Sequence, residues 1–234
     1  MSGDRADPRT LVATAARVLA VAGIFDMHGH ISARDGDTVY INDRGSSRIT
    51  TRPDQIAAVR LADGATIGDR EPPSETPLHL AIYRARRDAG SVAHFHPRAA
   101  TAFAVAGRPL IVASNAGAWF GGTIPVHDDP ELVRTDEHGK SVARDLGTAR
   151  ALLLRGHGAV VLGEDIADCV TAALFLEESA DRLRLAASIG EPREYTADEI
   201  ARVRAGLVQR SVALKTWNDA VERARIAGRL DDLD

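Results

Sequence analysis

The sequence predicts an α/β domain in which a largely antiparallel sheet is covered by helices. Three observations predict it. Short apolar strands flank strong turn signals, as in residues 30–34 and 38–41 on either side of Asp35-Gly36-Asp37. Long helical runs close the chain at about 166–188 and 197–227. The 234 residues, 44% hydrophobic and 26% charged, suffice for one substantial core and fall slightly short of two ordinary domains. Residues 1–234 are therefore expected to form one domain, with a C-terminal helical extension from about residue 190.

Taken in order, Asp7-Pro8 offers a capping carboxylate followed by a proline in the first helical turn. Leu11, Val12, Ala15, Val18 and Leu19 give that helix an apolar stripe, and Gly23 ends it. The 30–41 hairpin follows, then a strand over 56–61. Ser74-Glu75-Thr76-Pro77 opens a helix to about residue 88, with Gly90 as terminator. Within it, Arg84-Ala85-Arg86-Arg87 reads as a solvated face. Residues 92–96 form a buried strand halted by Pro97, which starts the next helix. A strand is expected over 109–113, and Gly121-Gly122 leads into an extended 124–126. A helix near 137–146 precedes strands at 151–154 and 159–162, joined by a Gly156-His157-Gly158 turn. No internal repeat, low-complexity tract or linker interrupts the chain.

Composition excludes several function classes. A formal net charge of -4 gives no basic balance for nucleic acid or a membrane surface. No segment approaches the ~18 consecutive apolar residues of a membrane span. The polar start, Met1-Ser2-Gly3-Asp4-Arg5-Ala6-Asp7, lacks the apolar stretch of a secretory signal. One cysteine, Cys169, rules out an intrachain disulfide and fits a reducing compartment. The chain reads as cytoplasmic, and Cys169, in an apolar helical run, as a small buried hydrophobe.

His94-Phe95-His96 is the first pointed chemical signal. Strand side chains alternate faces, so both imidazoles project together and can reach one ion. His157 sits between two glycines, which let the backbone turn sharply and leave its ring unobstructed. Three histidines and a carboxylate suit a catalytic divalent ion with an open position. The spacing alone is met equally well by structural histidines. Glu75 follows the stiff Pro72-Pro73-Ser74 approach to a helix N-terminus, and by itself reads first as a favourable charge on the helix dipole.

Together, Pro73-Ser74-Glu75, His79, His94-x-His96 and Arg155-Gly156-His157-Gly158 resemble the class II aldolase/adducin family. Gly29-His30-Ile31-Ser32-Ala33-Arg34 and Tyr83-x-Ala85-Arg86 fit as well, and the resemblance runs from roughly residue 10 to 185. It implies a three-layer α/β/α domain with a central, largely antiparallel sheet, usually assembled as a homotetramer with sites near subunit interfaces. It implies metal ligation by His94, His96 and His157, with one divalent ion per subunit. Zinc is expected first, then manganese, iron or cobalt. Glu75 matches the residue that ligates the ion and then serves as acid and base. His79 reads as a packed, hydrogen-bonded structural histidine. His28 and His138 carry weaker signals. His127, before Asp128-Asp129, reads as part of a solvated loop, with a second metal site as the alternative.

The chain departs from the family's sugar-phosphate aldolases. His30 stands where they have asparagine, Asp43 within 42–47 would repel phosphate, and a serine pair has become Pro73-Ser74. Arg44, Arg48 and Arg52 can instead hold a carboxylate by paired hydrogen bonds, or be plain surface arginines. These features resemble the branch that decarboxylates hydroxylated aromatic or keto acids, such as dihydroxyphthalate decarboxylases. The expected substrate is then a small carboxylate bound by Gly29, His30, Arg44, Arg48 and Ser74. Phe25, Phe95, Trp119 and Phe120 are candidates for an apolar pocket wall. The expected chemistry is an enolate-like intermediate on a Lewis-acidic metal, with a raised Glu75 carboxyl handling the proton. An aldolase or dehydratase acting on a sugar (phosphate) or hydroxy-acid is the competing reading. A non-catalytic, adducin-like interaction protein is the remote one. Residues past about 190 read as a lid, a subunit contact or plain helix packing.

Overall fold

In a computed structural model, α1 (Pro8–Val21) is capped by Asp7, whose carboxylate accepts from the Arg9 amide at 3.1 Å. The helix ends ahead of Gly23, which adopts a φ of +71°. The structure describes residues 7–233. The polar start ahead of Asp7 and the final residue of the acidic tail, Asp234, lie outside the described residues.

The strands are β1 (His30–Asp35), β2 (Thr38–Asn42), β3 (Ile56–Arg60) and β4 (Thr66–Ile67), then β5 (Ser91–Phe95), β6 (Val126–His127), β7 (Ala151–Leu154) and β8 (Gly158–Gly163). They form an eight-stranded sheet in the order β4-β3-β2-β1-β5-β8-β7-β6. Every pairing is antiparallel except β6 on β7.

Helices cover both faces. Ile31, Ala33, Ala93 and Phe95 point into a core shared with α1, α3 (Arg98–Val105), α6 (Ile166–Ile189) and α8 (Arg210–Ile226), and α4 (Asn115–Ala118) packs on α6. On the opposite face Val39, Ile41, Val92, Val160 and Leu162 pack against α2 (Thr76–Ala85) and α5 (Asp136–Leu146). The strand alternation thus separates two apolar layers with the sheet between them. Among the described residues no helix is long and apolar enough to cross a membrane.

Several local expectations are corrected. Residues 109–113 form no strand. Leu110 and Val112 alternate inward, but Leu110 makes only an isolated bridge to Ile124, and the Val112 carbonyl accepts from the Tyr195 amide. The closing helix is two helices, α7 (Ala197–Leu207) and α8, with a turn at Val208-Gln209 beside Gly206, a residue that weakens a helix. In this region α8 lies on α1 and α6, and Arg17 ties α1 to the Thr51 and Arg229 carbonyls and to Asp232.

The helix α2 stops at Ala85, three residues early, because Arg86 turns extended and donates to the Gly147 and Ala149 carbonyls at 2.9 and 2.8 Å. Arg84 likewise donates to the Leu61 carbonyl, so the arginine cluster is partly structural. Cys169 is buried as expected, and desolvation pushes its thiol up to about 12, which leaves it unreactive.

The packing of α2 on α5 fixes the helix that carries Glu75. A Cβ on Gly139 would lie 2.5 Å from the Pro77 carbonyl oxygen and 3.1 Å from the Ala81 Cβ. Gly139→Ala is therefore expected to destabilise the fold by about 1–2 kcal/mol, because the overlap outweighs alanine's gain in helix propensity. A urea midpoint lowered at unchanged slope is the confirming measurement; a raised midpoint would refute the tight contact.

Candidate metal centre

The site forms where β1 and β5 face α2. On β1, His30 and Ser32 occupy alternate positions on the α2 face, and the β1–β5 register sets His30 opposite His94 and Ser32 opposite Val92. On α2, Glu75, His79 and Tyr83 are spaced four apart and so share one face of the helix. His96 is the first residue past β5, and His157 lies in the turn between β7 and β8. Two glycines make that turn possible. Gly156 has a φ of +69°, and a Cβ on Gly158 would lie 2.4 Å from the Phe95 carbonyl oxygen.

Glu75 caps α2 but makes no side-chain capping bond, and the residue is only 9% exposed, so it is not a surface dipole charge. Its Oε1 accepts from the Val133 amide at 3.0 Å. Its Oε2 lies 3.6 Å from His94 Nε2, 3.7 Å from His157 Nε2 and 3.9 Å from His30 Nε2. The ligand atoms of His94, His96 and His157 lie within 4.8 Å of one another, as do those of His30, Glu75 and His94.

The orientation of these rings favours a cation. The Ala159 carbonyl, 3.1 Å from His94 Nδ1, accepts a hydrogen bond from that N–H and leaves the lone pair on Nε2. That Nε2 is buried and has no hydrogen-bond partner. An unsatisfied buried acceptor is costly, and a divalent ion would satisfy it. His96 Nδ1 lies 2.9 Å from the Asp26 carboxylate, which also accepts from the His28 and Gly29 amides and so fixes the ring. The residues present therefore fit a three-histidine, one-carboxylate centre.

Burial pushes His30, His94, His79 and His157 below the ordinary imidazole value, which favours their neutral forms. Burial acts to raise the Glu75 carboxyl, but His30, His94, His157 and the Val133 amide together hold it well below the usual carboxylate range. This reverses the expected direction: the groups facing Glu75 are imidazoles and a main-chain amide, where the sequence suggested apolar side chains.

The cluster floors a cleft of about 900 Å³ that also exposes Arg44, Arg48, Ser74 and Arg134. Arg48 is 5% exposed, and it is held by the Gly29 and Asp43 carbonyls at 2.6 and 3.1 Å and by the Ser46 carbonyl. Among the described residues no carboxylate forms an ion pair with it. Arg44 is exposed and paired with Glu71 at 2.7 Å, and Arg52 with Asp54 at 3.1 Å away from the cleft. Gly29 stands behind the cleft wall, with its carbonyl on Arg48. Asp43 is turned inward, accepting from the Ser46 amide at 2.7 Å, so it does not face the cleft as the repulsion argument assumed.

The four aromatic candidates Phe25, Phe95, Trp119 and Phe120 are core residues and do not line the cleft. His127 is buried and bonded to Asp145 at 2.6 Å, which corrects the solvated-loop reading. It belongs to no possible metal cluster among the described residues. The sequence reading missed Asp26, Val133 and Arg134. Val133 acts through its backbone, which leaves no residue-type signal, and the other two come from irregular segments.

The sequence pattern of the Class II Aldolase and Adducin N-terminal domain matches residues 10–183. The chain belongs to this family. A 3,4-dihydroxyphthalate decarboxylase from Terrabacter sp. (strain DBF63) is 35% identical over 216 residues, covering 86% of this chain and 90% of the relative. An L-fuculose phosphate aldolase from Methanocaldococcus jannaschii is 31% identical, covering 65% of this chain and 81% of its own. An aldolase II superfamily protein from Pseudomonas syringae has the same fold, with a TM-score of 0.84 at 23% identity, covering 97% of this chain and 95% of its own. The two curated relatives are both lyases by name, and the class II aldolase layering of this chain agrees with the three-layer expectation.

Asp26→Asn should keep the turn but remove the charge behind His96. Zinc affinity, read by chelator competition, is expected to fall about 10–100-fold. Unchanged affinity would show that Asp26 does not support a ligand.

Proposed function

We propose that this class II aldolase family member is a divalent-metal-dependent carbon–carbon lyase that decarboxylates a hydroxylated aromatic or keto carboxylic acid. The observation that carries this reading is the juxtaposition of an ionised Glu75, three ligating imidazoles and the carbonyl-held Arg48 in one cleft. Similarity to the dihydroxyphthalate decarboxylase supports this substrate class over others.

His94, His96 and His157 would hold a divalent ion, which would supply Lewis acidity toward a substrate oxygen. The residues do the rest. Arg48 is fixed by three carbonyls and offers its guanidinium to an anionic group, and Arg44 can exchange Glu71 for a substrate carboxylate at the rim. Ser74 and His30 also line the cleft. Glu75, ionised in the free site, takes the proton of a substrate hydroxyl and returns it to the carbon that loses carbon dioxide. The reading extends to a cytoplasmic homotetramer with zinc as the native ion, as the family resemblance implies.

A second reading, aldol cleavage of a sugar phosphate, is favoured by the fuculose phosphate aldolase similarity, since Arg48 and the Gly45-Ser46-Ser47 loop can also face a phosphate. Carbon dioxide release from o-hydroxylated benzoates, phthalates and β-keto acids, with zinc or manganese restored, separates the two. Metal-dependent release abolished by EDTA supports decarboxylation. Silence across the panel, with dihydroxyacetone phosphate formed from fuculose 1-phosphate, favours the aldolase. Glu75→Gln is expected to retain most of its metal yet lose about 10²–10⁴-fold in kcat; full activity in that variant would sink the proton-transfer role.

A further inference from the structure

The cleft is lopsided in charge. Its lining side chains include three guanidiniums, on Arg44, Arg48 and Arg134, and one carboxylate, Glu75. Both oxygens of Glu75 already face the imidazoles or the Val133 amide, and Arg44 is paired with Glu71. Neither Arg48 nor Arg134 forms an ion pair among the described residues. The carboxylates nearest to Arg134 in sequence are engaged elsewhere: Asp136 lies 3.7 Å from Arg84, and Glu131 lies 4.0 Å from His138. Two guanidiniums thus line the cleft without a counter-ion from the protein.

Arg134 is set in place by its neighbours. Residues 130–134 run irregularly into α5. Val133 is 1% exposed, packs in the apolar layer with α2 and α5, and donates its amide to Glu75 Oε1 at 3.0 Å. The Arg134 amide donates to the Leu132 carbonyl at 2.9 Å, which makes a tight turn about the buried Val133. Thr135 then caps α5, accepting from the His138 amide at 3.2 Å. With Val133 anchored inward, Leu132 and Arg134 on either side of it both line the cleft. Met27 and Leu132, 74% and 39% exposed, add apolar surface to the same cleft, as does Pro130. Apolar surface combined with a free guanidinium complements an apolar body that carries an anionic group.

We propose that Arg134 is a specificity-determining residue that takes a second carboxylate of the substrate, one retained through the reaction, while Leu132 lies against the apolar body that carries it. The proposal rests on the decarboxylase reading of the cleft and narrows its substrate class to dicarboxylates. A substrate with a single carboxylate would pair one of the two free guanidiniums and leave the other unanswered, whereas a dicarboxylate pairs both. The reacting carbon must lie over Glu75, which is 9% exposed at the cleft floor. The exposed Arg134 is therefore left for the part of the substrate that does not react. A retained carboxylate keeps its charge from bound substrate to transition state, so the contribution of Arg134 falls on KM more than on kcat.

The test is calorimetric titration of zinc-loaded full-length protein with benzoate, phthalate and phenyl phosphate. Phthalate is expected to bind about tenfold more tightly than benzoate. Arg134→Gln is expected to remove that preference without weakening benzoate, and Arg134→Lys to restore part of it. Arg134 is exposed, so its replacement leaves the core intact. Leu132→Ser is expected to weaken benzoate and phthalate alike, by about fivefold, because both lose the same apolar contact. Equal affinity for benzoate and phthalate, no binding of either, or a phthalate preference that survives Arg134→Gln would overturn the proposal. Phenyl phosphate bound more tightly than phthalate, with that preference abolished in Arg134→Gln, would assign the residue to a phosphate and overturn the dicarboxylate class. Benzoate and phthalate lack the hydroxyl of the expected substrate. Ligand preference and carbon dioxide release are therefore measured separately, and failure of this proposal is distinguishable from failure of the decarboxylase reading.

Discussion

The antiparallel register of β1 on β5 sets His30 opposite His94 on the face covered by α2, and the site depends on it. Strand side chains have a period of two, so a slip of β1 by one residue would send His30 into the apolar layer beneath α1 and α6 and bring Ile31 to the face that carries Glu75. Two features hold the register. Ile31, Ala33, Ala93 and Phe95 fill the opposite layer, and the Ile31 amide donates to the Asn42 side chain at 2.9 Å. The apolar layer therefore fixes the polar one.

The electrostatics follow from that burial. One carboxylate is surrounded by imidazoles whose neutral forms desolvation favours, so the cluster presents lone pairs and a single negative charge to the cleft. Such a set attracts a divalent cation, and the nearby Arg48 balances an incoming anion. Arg48 resembles Arg17 in its construction. Both guanidiniums are buried and held mainly by main-chain carbonyls from loops, which orders segments that have no ladder hydrogen bonds. Arg17 closes the C-terminal tail onto α1, while Arg48 shapes the cleft wall.

Local signals read well wherever the decisive partner was close in sequence. The Asp7 cap, the Asp35-Gly36-Asp37 hairpin, the Pro97 boundary and the 151–162 strand pair all depend on neighbouring residues, and they form nearly where expected. The failures occurred where a distant partner decided. Residues 109–113 have strand-like alternation but no neighbouring strand, and the final helix breaks because α7 packs on α4 while α8 packs on α1 and α6.

The sequence by itself determined the α/β layering, the family and the identity of the chemically pointed residues, because strand alternation, helical spacing and the ordered His and Glu motifs are properties of the chain read locally. The tertiary structure alone decided how those residues are arranged. It turned Glu75 from a helix-end charge into the carboxylate among three imidazoles, and withdrew Asp43 and the four aromatics from the cleft. It also supplied Asp26 and the Val133 amide, and joined His79 to His30. Protonation state and ring orientation depend on desolvation and on partners 47 to 70 residues away, and no local pattern encodes either.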